Sequence, residues 1–245
     1  MESSAPDLTT RVLRQERALI AVTVAALAAF GWWYVATRAA IDDMPAMEAM
    51  RTPPVGALIL MWWLMMVAMM LPSAVPAILL YARIRQLHEG KAIGASWMFL
   101  SGYLAMWLLF SIAAAVAQSL LTGPSMALDN RLAQSVILVA AGLYQLSPLK
   151  SVCVSQCRSP AEFLSRHWRP GPAGTIRLGL IHGAYCLGCC WMLMALLFVG
   201  GVMNLLWVIG LTIIVAIEKL APGGPLLGRA AGAALIAWGL LRLAA

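Results

Sequence analysis

Apolar runs long enough to cross a hydrocarbon layer recur along this chain, and they leave it few possible folds. A helix needs roughly 20 apolar residues to span a bilayer core. Seven runs approach or exceed that length, at about residues 18–37, 55–82, 96–120, 131–149, 175–199, 202–220 and 226–243. They lack the period-two alternation of barrel strands, so the backbone must satisfy itself within helices. Composition agrees, since only 11% of residues are charged, against roughly 25% in a soluble domain. The expectation is an all-α, polytopic transmembrane helical bundle of about seven spans (six or seven). It forms one domain over residues 18–245, behind a polar segment at residues 1–17, and its first partner is the lipid bilayer.

The net charge of +7 does not point to nucleic acid, because the 17 Lys and Arg residues flank the apolar runs. Arg11, Arg14 and Arg17 precede the first run, Arg83, Arg85, His88 and Lys91 follow the second, and Arg158, Arg166, Arg169 and Arg177 precede the fifth. The segment with Asp42, Asp43 and Glu48 and the turn at Gly123-Pro124 carry little positive charge. The positive-inside rule therefore places the amino terminus in the cytoplasm. The first run is too long for a cleaved signal sequence and has no small-residue exit, so it reads as a retained span.

All five cysteines fall between residues 153 and 190, too closely clustered for a disulfide framework in a chain with almost no extramembrane domain. Cys153 and Cys157 form a C-x-x-x-C, and His182, Cys186, Cys189 and Cys190 form an H-x-x-x-C-x-x-C-C inside the fifth run. On a helix these last four share one face, so an imidazole and two or three thiols line a single stripe. Reactive groups inside an apolar span are functional candidates by default. The second run adds Met61, Met65, Met66, Met69 and Met70 just before Pro72 and Pro76, with thioethers stacked at i,i+4 ahead of an expected kink.

Thiols, thioethers and one imidazole suit Cu(I) first, with Zn(II) the alternative, and an interior this poor in carboxylates does not suit Mg(II) or Ca(II). The expected metal ligands are Cys186, Cys189 and Cys190 with His182. Cys153 and Cys157 would accept or deliver the ion at the cytoplasmic mouth, and Met66, Met69 and Met70 are the second-helix partners. Three other readings stand beside this one: Met and Cys as adaptable packing groups, thiol-disulfide electron transfer through Cys186 and Cys189, and a scaffold subunit of a membrane complex. The pattern points to binding more than to an enzyme, with a metallochaperone or a membrane subunit as partner. Oligomeric state does not follow from it. No G-x-x-x-x-G-K-[ST] loop is present, so transport would be secondary, passive or partner-driven.

Smaller signals complete the reading. Asp129 or Asn130 suits a helix cap. Ser159, Pro160 and Glu162 resemble a capping box opening a short surface helix over about residues 160–168, with Cys157 just before its amino terminus and His167 at the interface. His88 reads as a loop residue. Gly179 and Gly183 would allow close helix approach, and Glu218-Lys219 reads as one inward acid and one interfacial anchor.

The stretches M-W-W-L-M-M-V-A-M-M-L-P-S-A-V-P (61–76), Y-Q-L-S-P-L-K-S-V-C-V-S-Q-C-R-S-P-A-E-F-L (144–164) and H-G-A-Y-C-L-G-C-C-W-M-L-M-A-L-L-F-V-G-G-V-M-N (182–204), with Glu218-Lys219, resemble the bacterial predicted metal-binding integral membrane proteins, a domain family of unknown function. The resemblance covers about residues 55–222. It implies a bound metal and a bacterial inner (cytoplasmic) membrane location, and it supplies no activity.

Overall fold

The computed structural model describes residues 8–42, 54–89, 92–121, 127–128 and 130–244. The expected outer loop with Asp43 and Glu48, the turn at Gly123-Pro124, and Lys91 and Asp129 lie outside those residues.

The described chain is helical throughout: α1 (Leu8–Asp42), α2 (Val55–Glu89), α3 (Ala92–Leu121), α4 (Arg131–Gln145), α5 (Pro148–Arg158), α6 (Pro160–His167), α7 (Gly171–Ala195), α8 (Leu197–Gly200), α9 (Leu205–Leu220) and α10 (Gly224–Ala244). Among the described residues, five segments are long and apolar enough to cross a membrane, or six if α4 and α5 form one bent span. The expected sixth run becomes α9, whose 16 residues reach only about 24 Å at 1.5 Å per residue. The outer surface is apolar, with Leu120, Leu206 and Leu226 exposed, whereas Lys150, His182, Glu218 and Lys219 are buried. That distribution is the reverse of a water-soluble domain.

Close helix approach organises the interior. α3 packs along α7 and α4 along α10, while α1 covers α2 and α2 packs on α3. At the α3–α7 crossing, a Cβ on Gly102 would collide with the Ile176 carbonyl, and one on Gly179 with the Phe99 carbonyl. Gly142 of α4 meets Gly232 of α10 in the same way, where an added Cβ would stand 2.6 Å from a carbonyl oxygen. Small residues let backbones approach where apolar burial alone does not drive association.

Several local expectations change. α1 begins at Leu8, and Arg11, Arg14 and Arg17 lie on it. His88 belongs to the last turn of α2, not to a loop. The second helix continues through Pro72 and Pro76. Asn130 caps α4, its side chain accepting from the Ala133 N–H at 3.1 Å. The fourth run does not reach Leu149. It breaks at Leu146-Ser147 because Pro148 cannot continue the hydrogen-bond ladder, and Ser147 caps a new helix by accepting from the Lys150 N–H at 3.2 Å. α4 and α5 are bent by 62°, which swings α5 across α7. α6 forms with Pro160 in its first turn, but Ser159 makes no side-chain cap bond. Phe163 and Leu164 are buried, so α6 docks on the bundle and is not merely laid on its surface.

Candidate functional site

α7 presents its cysteines near the middle of the 30-residue segment Gly171–Gly200, with Cys186 its sixteenth residue. Cys186, Cys189 and Cys190 are each about 1% exposed, and all five cysteines are free thiols. The Cys189 and Cys190 thiols donate to the Cys186 carbonyl at 3.0 and 2.9 Å, which holds both sulfurs against one turn of the helix. Because α5 crosses α7, half-buried Cys157 is a neighbour of Cys186 and Cys189. Cys157 lies in the last turn of α5, so it closes one helix as well as preceding the next. Thiols from two helices thus neighbour one another at the α5–α7 crossing.

Met70 of α2 brings a thioether to the same place, with its Sδ 3.7 Å from Cys190 Sγ. Met66 and Met69 are equally buried in the core, but the sulfur contact with a thiol belongs to Met70. By helix spacing Met66 lies one turn before Met70 on the same face. Cys153, one turn before Cys157, packs on Gly188, where an added Cβ would stand 2.9 Å from its sulfur. The Tyr144 hydroxyl donates to the Gly188 carbonyl, tying α4 to the same turn.

His182, one turn before Cys186, sits among aromatic rings from two other helices. Its ring centroid is 5.8 Å from Phe99, 5.9 Å from Tyr103 and 5.0 Å from Phe163. It is buried, and its Nδ1 has no hydrogen-bond partner among the described residues. An orphaned ring nitrogen in such a place is costly unless something accepts or supplies a bond. His167 stacks on Phe163 at 4.9 Å.

Two further side chains, Tyr103 and Lys219, complete the centre. The Tyr103 hydroxyl donates to the Met70 carbonyl at 3.2 Å and stands 3.2 Å from Cys186 Sγ. Lys219 is buried and not interfacial, because α9 ends one residue beyond it and turns its ammonium inward. Its Nζ lies 3.0 Å from Cys186 Sγ, 3.8 Å from Met70 Sδ and 3.3 Å from Ser73 Oγ. Glu218, next in sequence, faces the other way. It accepts from Lys150 at 2.6 Å and from Gln145 at 2.5 Å, beside a cavity of about 270 Å³ lined by Arg158, Gly228 and Arg229 among others. Arg158 donates to the carbonyls of Glu218 and Ala221 at 2.7 Å each, satisfying the free end of α9 and locking the Cys157 end of α5 to the Lys219 end of α9. The helix end Lys219-Leu220-Ala221-Pro222 gives no sequence signal for an inward lysine.

Among the described residues, no three of His, Cys, Asp and Glu already stand in a metal-binding arrangement. The thiols are turned to a carbonyl and to one another, and the positive group among the sulfurs is the Lys219 ammonium. Two observations nevertheless fit a soft cation: a cation already rests on a thiol and a thioether, and a buried imidazole nitrogen one turn away lacks a partner.

No curated protein and no solved structure matches the chain. A protein-family model does match, over residues 59–242, and its description is copper chaperone. That match covers the methionine run, both cysteine groups, His182 and Lys219, and it fits the expected metal-related family. The chain belongs to the PpoB2 copper chaperone family.

Proposed function

We propose that this protein is a bacterial inner-membrane copper chaperone that holds Cu(I) between α5, α7 and α2 and passes it on by ligand exchange. The proximity of the Cys186, Cys189 and Cys190 thiols to the Met70 thioether, with Cys157 of α5 beside them, carries the reading. Cys186, Cys189 and Cys190 with Cys157 would supply the thiolate ligands, Met70 a thioether, and His182 a neutral nitrogen through Nδ1. Such a set suits Cu(I) before Zn(II).

Ligands of graded strength support exchange, since an ion that is to be delivered needs sites tight enough to select it and interchangeable enough to release it. Cys153 and Cys157, one turn apart on α5, would form the cytoplasmic branch, where a metallochaperone or a membrane partner subunit would exchange the ion. Met66 and Met69 would continue a weaker thioether branch along α2 beyond Met70. The amino terminus would lie in the cytoplasm, and the bent α4–α5 pair and the short α9 would complete a bundle of six or seven spans.

The neighbourhood of Cys157, Cys186 and Cys189 also favours a second reading, a dithiol that carries electron pairs by disulfide exchange. One experiment separates the two. The chain is purified anaerobically in detergent, loaded with Cu(I), and its copper and free thiols are counted. About one copper per chain with five free thiols on removal of the metal is expected, with copper lost in the Cys186→Ser, Cys189→Ser and Cys190→Ser triple variant. No copper, with two thiols appearing only after reduction, would replace the copper reading with the redox one.

A further inference from the structure

α5 has two chemically different faces. Cys153 and Cys157 turn toward α7, whereas Ser147, Ser151 and Ser155, also four residues apart, line the cavity of about 270 Å³ on the other side. Lys150, Arg158 and Arg229 bring three cations to that cavity, and Glu218 brings one carboxylate. The carboxylate is already engaged by Lys150 at 2.6 Å. Among the described residues, neither Arg158 nor Arg229 is paired with a carboxylate. Arg158 donates to the carbonyls of Glu218, Ala221 and Pro222, which accept its hydrogens but supply no more than a partial negative charge. Arg229 is exposed. The cavity thus carries an excess of two positive charges beside apolar surface, and such an excess calls for an anion.

We propose that this cavity binds the phosphate of an anionic glycerophospholipid, with Arg158 and Arg229 at the phosphate oxygens and the hydroxyls of Ser151 and Ser155 completing the cradle. The planar guanidinium fork matches a phosphate. Ser151 and Ser155 donate to carbonyls of their own helix, those of Pro148 and Val152, at 2.8 Å each; a hydroxyl rotor can exchange such a bond for one to a phosphate oxygen. The volume of about 270 Å³ approaches the roughly 300 Å³ at which small-molecule sites begin, room for a phosphate and the glycerol attached to it. The flanks decide the source of that phosphate. Leu146 at the cavity and Leu226 beside it are exposed, as are Leu149 and Val152 on α5, so acyl chains have apolar surface to lie along, which a free phosphate would not use. Basic pockets between membrane helices take anionic headgroups for the same reasons. The inference rests on the membrane location proposed above and not on copper.

The test uses the full chain, free of copper, in a neutral detergent. Its melting temperature is followed as phosphatidylglycerol, phosphatidylcholine or inorganic phosphate is added at constant ionic strength, and an apparent Kd is taken from each saturating rise. Phosphatidylglycerol is expected to bind about tenfold or more tighter than zwitterionic phosphatidylcholine. Arg229→Gln, at an exposed position, is expected to weaken phosphatidylglycerol by about fivefold or more. Ser155→Leu, which fills the mouth of the cavity, should weaken it by a similar factor, and it carries the test alone where Arg229→Gln fails to fold. Arg177→Gln removes an exposed arginine of α7 and should leave the Kd within about twofold. Equal affinity for the two lipids overturns the proposal, as does a loss in Arg177→Gln as large as that in Arg229→Gln. Inorganic phosphate binding as tightly as phosphatidylglycerol, and weakened by Arg229→Gln, keeps the phosphate cradle but overturns the lipid as its source. A parent protein that responds to none of the three overturns this inference and leaves the copper reading standing, since no copper enters the experiment.

Discussion

Lys150 and Lys219 are both about 4% exposed, and they occupy opposite sides of the end of α9, yet their surroundings share nothing. Lys150 meets a carboxylate and an amide, both within hydrogen-bonding distance. Lys219 meets sulfur. The first centre is complete as it stands, with charge and hydrogen bonds closed, so its work is to hold α4, α5, α9 and α10 together. The second is balanced by atoms that are better ligands for a soft metal than for an ammonium. Burial alone does not tell a structural ion from a functional one; the hardness of its partners does.

Breaking the first centre is expected to have the largest effect. Glu218→Ala leaves Lys150 buried with only an amide for company, and thermal unfolding in detergent should report a loss of about 3–5 kcal/mol. The Lys150→Met, Glu218→Leu double variant removes both charges and should recover most of that loss, leaving copper stoichiometry unchanged. A double variant as unstable as Glu218→Ala would show that Lys150 and Glu218 do more than neutralise one another.

Met70→Leu probes the second centre with little change in volume. Core swaps of this kind ordinarily cost less than about 1.5 kcal/mol in stability, so the melting temperature should move little while Cu(I) affinity falls by roughly tenfold, the equivalent of about 1.4 kcal/mol. Equal affinity in Met70→Leu would remove the thioether from the ligand set. The smallest effect belongs to the exposed Arg166–Glu162 pair, at 2.6 Å on α6. Glu162→Gln should change stability by no more than about 0.5 kcal/mol, because solvent screens the pair. A larger change would mean that α6 holds Phe163 against His182 through that pair.

The helical class, the Asn130 cap, the short helix at Pro160 and the cysteine stripe of α7 were legible because each rests on spacing within a few residues. What escaped depended on contacts between distant segments. Nothing local distinguishes Met70 from Met66 or Met69; packing against Cys190 does. His182 reads as one more residue of the stripe until α3 and α6 bring their rings around it. Lys219 reads as an interfacial lysine because it stands near the end of an apolar run, and only the depth at which α9 stops turns it inward. The break at Ser147-Pro148 carried a clear proline signal that the apolar run masked, and with it went the placement of Cys157 beside α7.

The position of Lys219 also sets the order in which the centre comes into being. Its parts are spread over residues 70, 157, 186–190 and 219, and Arg158 can lock α5 to α9 only once residues 218–222 exist. A chain made at about 5–20 residues per second carries its α7 thiols for seconds before Lys219 joins them. During that interval the nascent protein holds its α7 thiols without the buried lysine that packs on Cys186 in the finished molecule.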